Sequence, residues 1–96
     1  QKLPNGLILQ WMGATTSGTG NPNIVQNFPI PFPNGFIGAT ITEGASSGWS
    51  TSGFTAYGTH PNTTASTFYG TGGKWTTSGS WALISGLYCH VFAWGY

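Results

Sequence analysis

Tyr88-Cys89-His90-Val91-Phe92-Ala93-Trp94-Gly95 is the stretch that decides the fold class. Large side chains at Tyr88, His90, Phe92 and Trp94 alternate with small ones at Cys89, Val91, Ala93 and Gly95. Successive side chains of a strand point to opposite faces. The alternation therefore predicts a strand with one bulky face and one small face that lies close against a neighbour.

Upstream, Trp81 to Ile84 is a second apolar segment, set off by Ser85-Gly86. Leu7 to Met12 follows the turn signal Pro4-Asn5-Gly6 and reads as a strand, and Phe36 to Glu43 follows Pro33-Asn34-Gly35 in the same way. Ile24 to Phe32 places Phe28, Ile30 and Phe32 on alternate positions with Pro29 and Pro31 between them. That pattern predicts an edge strand forming a hairpin with residues 36–43, because an edge leaves outward amides unused. A short strand is expected at Gly53 to Gly58, and loops at 13–23, 45–52 and 60–67. Phe68-Tyr69 is an apolar pair, and Gly70-Thr71-Gly72-Gly73 reads as a flexible connection. Gly or Pro interrupts almost every stretch that a helix would need. The expected architecture is all-β: a single antiparallel, sandwich-like domain over residues 1–96, with about six or seven strands and long loops.

The composition is unusual in its charge. Lys2, Glu43 and Lys74 are the only charged side chains in 96 residues, against about a quarter in ordinary domains. With no arginine and a formal net charge of +1, the chain lacks the phosphate contacts that dominate nucleic-acid affinity and the basic cluster that anionic membranes attract. No apolar run reaches the length of a membrane helix, so neither a nucleic-acid partner nor membrane insertion is expected. The lone Cys89 excludes an internal disulfide.

Catalysis finds few of its usual parts. Glycoside hydrolysis uses two carboxyl groups, and Glu43 is the one side-chain acid. Cys89 and His90 are adjacent, so on a strand they point to opposite faces and do not form a nucleophile–base pair within the chain. His60, His90, Cys89 and Glu43 lack metal-site spacing, and Gly70-Thr71-Gly72-Gly73-Lys74 lacks the spacing and the following helix of a phosphate loop. No enzyme activity, metal or cofactor is expected. What remains is recognition: fifteen aromatic residues (six Phe, five Trp, four Tyr) among many Ser, Thr and Asn combine flat apolar faces with neutral hydrogen-bonding groups, a chemistry suited to sugars. The loop-rich middle supplies the candidate ligand contacts Trp49, Tyr57, His60, Asn62, Tyr69, Lys74 and Trp75.

Three pieces resemble the C-terminal domain of bacteriophage and prophage tail-fibre proteins. They are Leu3-Pro4-Asn5-Gly6-Leu7-Ile8-Leu9-Gln10-Trp11, then Asn27-Phe28-Pro29-Ile30-Pro31-Phe32-Pro33-Asn34, and the ending Val91-Phe92-Ala93-Trp94-Gly95-Tyr96. Met12 before Gly13, and Trp94, depart from the family pattern, and residues 45–80 carry no shared signature. The resemblance implies a homotrimeric tip at the distal end of a virion fibre, outside the cell, joined to the rest of the fibre and binding a bacterial polysaccharide or lipopolysaccharide. The absence of an initial Met fits a piece of a longer fibre protein. Under this reading Trp11, Phe28, Phe32, Phe36, Phe92 and Trp94 are core or trimer contacts. The alternatives are a domain that only registers or terminates the trimer, a polysaccharide depolymerase, and a free-standing lectin.

Overall fold

The computed structural model describes residues 1–44, 53–76 and 79–96. The polar segment 45–52 expected as a loop, Trp49 included, lies outside the described residues. Among the described residues seven strands follow in chain order: β1 (Ile8–Thr15), β2 (Ile24–Asn27), β3 (Phe36–Glu43), β4 (Gly53–Thr59), β5 (Thr67–Thr76), β6 (Trp81–Leu83) and β7 (Tyr88–Gly95). Every pairing is antiparallel and no described residue is helical. One sheet has the order β1-β7-β3; the other is centred on β5.

In the first sheet the alternation of residues 88–95 acts as its composition predicts. Cys89, Val91 and Ala93 are buried and face the second sheet's side, while Tyr88, His90 and Phe92 are exposed. Bulk on the inner side is not needed there, because phenylalanines fill the space. Phe28, Phe32 and Phe68 are buried, and Phe36 packs on them. Phe28 lies at the centre, with ring centroids 5.0 Å from Phe32, 5.8 Å from Phe36 and 6.3 Å from Phe68. Each such burial contributes about 1.5–3 kcal/mol.

The proline segment departs from the edge-strand expectation. β2 stops at Asn27, pairs with β5 and belongs to the opposite sheet from β3, so no β2–β3 hairpin forms. Residues 28–35 are irregular. Prolines at alternate positions remove the donors a ladder needs, and the remaining amides are held individually. Phe28 N–H donates to Ser66 O at 3.0 Å and Phe32 N–H to Ala65 O at 2.8 Å. The buried Gln10 side chain grips Ile30 through its main chain, accepting from N–H at 3.0 Å and donating to its carbonyl. Phe28 and Phe32 thus enter the core while Ile30 stays exposed.

The second sheet has a discontinuous edge. Gly70 pairs with Thr59 of β4 and Ile24 of β2, while Gly73, Lys74 and Trp75 pair with both β4 and β6. β2 and β6 therefore lie end to end along one edge of β5, opposite β4. Between them, at Gly72, the buried side chain of Asn23 takes the place of a strand. Gly70-Thr71-Gly72-Gly73, expected as a flexible connection, is the interior of β5. Small residues are required because rings lie across them: a Cβ at Gly72 would stand 2.7 Å from Tyr57 Cδ1, and one at Gly73 would stand 2.7 Å from the Trp81 indole.

Candidate functional site

The outward face of the second sheet follows from strand alternation. Phe54, Ala56 and Gly58 of β4 lie beside Trp75, Gly73 and Thr71 of β5, and β6 brings Trp81 opposite Trp75. The β5–β6 turn returns through Gly79, whose φ of 85° is a left-handed conformation that glycine adopts at no steric cost. Thr76 N–H donates to Ser80 O at 3.1 Å and closes the turn. The two indoles then meet with centroids 5.6 Å apart and planes inclined at 41°, and 40% and 39% of their residue surfaces remain exposed.

Beside them opens a groove of about 340 Å³ lined by Ala56, Tyr57, Gly58, Thr71, Trp75 and Trp81. Its walls are aromatic, its floor is small, and Thr71 supplies a hydroxyl. A flat apolar ring edged with hydroxyls fits this arrangement chemically, since aromatic faces attract polarised C–H groups and exclude anions.

Tyr57 anchors the groove's underside. Its ring is directed inward, against Gly72 and Thr16. Its hydroxyl donates to Glu43 Oε1 at 2.8 Å, and the buried Thr55 hydroxyl donates to the same oxygen at 2.6 Å. Glu43 lies on β3, so this carboxyl group ties the two sheets together. Burial is the main cause that pushes the Tyr57 phenol up to about 12; Glu43 adds to it and the Thr55 hydroxyl opposes it. Cys89, fully buried, is pushed up to about 11 by burial and then by Glu43, and its thiol contacts Ala14 O at 3.4 Å. His90 lies on the opposite face of β7 from it.

The candidate ligand contacts do not all lie together. Tyr57 and Trp75 line the groove. Lys74, next to Trp75 in sequence, points to the other side of the sheet, with Thr55 and Ala82 as its paired neighbours. His60, Asn62 and Tyr69 gather at the far end of the β4–β5 hairpin, where His60 Nδ1 accepts from Asn62 N–H at 3.1 Å and Tyr69 O accepts from His60 N–H at 2.8 Å. Tyr69 lies six residues from Trp75 along β5, a separation of roughly 20 Å. Trp49 is outside the described residues. Sequence reading omitted Trp81 from the site. The signal was present in the sequence, where Trp75 and Trp81 stand three positions either side of Ser78, a spacing that a tight hairpin turns into a cross-strand pair.

A second aromatic surface covers the outer face of the β1-β7-β3 sheet. Trp11 is 64% exposed and stacks on Phe92, with centroids 6.4 Å apart and planes 3° from parallel. Phe92 is followed by Trp94 at 6.2 Å. These three were expected in the core or at a trimer contact; within the chain they are not core, because residues 28–36 and Phe68 already fill it.

Fold and surfaces together define an all-β domain that presents neutral aromatic faces on both of its sheets. The chain belongs to the gp53-like tail-fibre family: the family described as "Putative tail fiber protein gp53-like, C-terminal" matches residues 2–96. It is a phage tail-fibre domain, and hence a virion component associated with the rest of a fibre. A comparison with curated proteins found no match.

Proposed function

We propose that this domain is the receptor-binding tip of the fibre, at its distal, extracellular end, and that it adsorbs the phage to its host by holding a surface polysaccharide or lipopolysaccharide. The observation that carries this reading is the Trp75–Trp81 groove, with its uncharged aromatic walls and its Thr71 hydroxyl. Binding is without chemistry: the one side-chain acid of the sequence, Glu43, is engaged by Thr55 and Tyr57 between the sheets, and hydrolysis of a glycosidic bond uses two carboxyl groups. Trp75→Ala is expected to weaken adsorption to host cells while leaving the fold intact. Host polysaccharide incubated with the protein is expected to release no reducing ends, and their release would establish a depolymerase instead.

The domain acts as a homotrimer in this reading, since three weak sites on one fibre raise effective affinity well above that of one. The exposed stack of Trp11 and Phe92 supports assembly. It is a contiguous apolar face with no charged residue on it, and such faces mark interaction surfaces. A solution mass near three times 10.1 kDa tests it. Loss of assembly on deleting the domain, with host range unchanged, would favour a purely structural role.

A further inference from the structure

The groove's floor is built from small side chains, where Ala56 pairs with Gly73 and Gly58 pairs with Thr71. The two glycines differ. A Cβ at Gly73 would stand 2.5 Å from Ala82 O and 2.7 Å from the Trp81 ring, so Gly73 is what lets that indole come close over the strand. A Cβ at Gly58 would meet nothing within 4 Å. Among the described residues the space above Gly58 is therefore unfilled, and apolar side chains border it.

No ionised side chain lines this space. Lys74 is on the other side of the sheet, Glu43 is held between the sheets, and Lys2 bridges to Ile8 at the first sheet. A sugar carboxylate or phosphate placed against the indoles would lose water without gaining a cation, and the negative faces of the rings would oppose it. An uncharged pyranose gives up only the hydration of its C–H face, which is favourable to bury. The Thr71 hydroxyl donates to Asn21 Oδ1, so toward the groove it presents lone pairs, an acceptor for a sugar hydroxyl.

We infer that the groove takes an uncharged pyranose, its C–H face on Trp75 and Trp81 and one hydroxyl donating to Thr71. This rests on the glycan-binding reading above and adds to it the class of sugar and the place where it binds.

The test titrates the whole 96-residue chain, labelled with nitrogen-15, with neutral oligosaccharides (glucan, galactan and mannan fragments) and with uronate oligosaccharides (oligogalacturonate and alginate fragments). The indole N–H signals of Trp75 and Trp81 are followed. At least one neutral set is expected to shift both signals and the uronates neither. Gly58→Val, which puts a β-branched residue into open space on a strand, is expected to lower affinity at least tenfold without lowering the unfolding temperature. Trp81→Ala is expected to do the same to affinity. Uronates binding as well as neutral sugars, neutral binding that survives Gly58→Val, or no response to any neutral set would each overturn the inference. Cell adsorption separates it from the underlying reading. A Gly58→Val chain that adsorbs normally removes the groove but leaves glycan recognition elsewhere, whereas a wild-type chain that does not adsorb removes glycan recognition itself.

Discussion

The side-chain amide of Asn23 pairs with the Gly72 peptide in both directions: Nδ2 donates to Gly72 O and Gly72 N–H donates to Oδ1, each at 2.8 Å. A side chain thereby continues the hydrogen-bond ladder across the gap between β2 and β6, where no main chain is available. Asn23 is 2% exposed, and buried peptide groups without partners are costly.

Asn23→Ala is expected to destabilise the domain by about 2–4 kcal/mol, because it leaves both the N–H and the carbonyl of Gly72 without a partner in a buried position. Asn23→Asp is expected to be nearly as damaging, since it replaces the donor facing Gly72 O with a second acceptor. Urea denaturation reads both; a change under 1 kcal/mol for Asn23→Ala would show that water substitutes for the amide.

Alanine at Gly73 and at Gly58 is expected to have opposite effects. At Gly73 the new methyl meets Ala82 O and the Trp81 ring, an overpacking that costs about 1–3 kcal/mol and tips the indole off the sheet. At Gly58 the methyl enters open space and restricts only the unfolded chain, a gain of about 0.4–1 kcal/mol. Thermal unfolding of the two variants side by side gives the comparison, and equal losses would contradict the described floor.

Rising alkaline pH is expected to destabilise the protein over two overlapping ranges. The folded state holds protons on Cys89 and Tyr57 that the unfolded chain releases near their ordinary values of 9.0 and 10.0. Their stabilising contribution is therefore fully present below pH 9 and is lost as pH rises through the folded values of about 11 and about 12. The urea midpoint should be flat from pH 7 to 9 and fall above it, and Cys89→Ala should remove the earlier part of the fall. A midpoint independent of pH up to 11.5 would speak against both buried protons.

Trp11→Ser is expected to lower the solution mass toward that of one chain without altering the circular dichroism spectrum. Trp11 is mostly exposed and supports no core residue, so its removal should change chain stability by no more than about 0.5 kcal/mol. An unchanged mass would place the assembly contact on another face.

Period-2 alternation made β7 legible, because its neighbours force a choice of face and the side chains record it, and the Pro-Asn-Gly turns made the starts of β1 and β3 legible. The same reasoning applied to Phe28, Ile30 and Phe32 fails physically. Prolines hold this segment extended without giving it a ladder, and side-chain clamps such as Gln10 on Ile30 decide what is buried. Gly70 to Gly73 look like a linker when read alone; their smallness answers to Tyr57 and Trp81, residues brought over them only by strand pairing. Of the groove's lining, Tyr57 and Trp75 were readable. Which aromatics converge was not, because that depends on register across β5 and β6, and composition carries no register.

The central strand of the first sheet is β7, the last of the seven in chain order, and its partners β1 and β3 do not pair with each other. On a ribosome this sheet therefore has no partial form. β1 and β3 wait for Tyr88 and Cys89, the first residues of β7 that they pair with, to leave the exit tunnel before either gains a neighbouring strand in that sheet. The domain's first layer therefore assembles from its two outer strands inward onto the last one made.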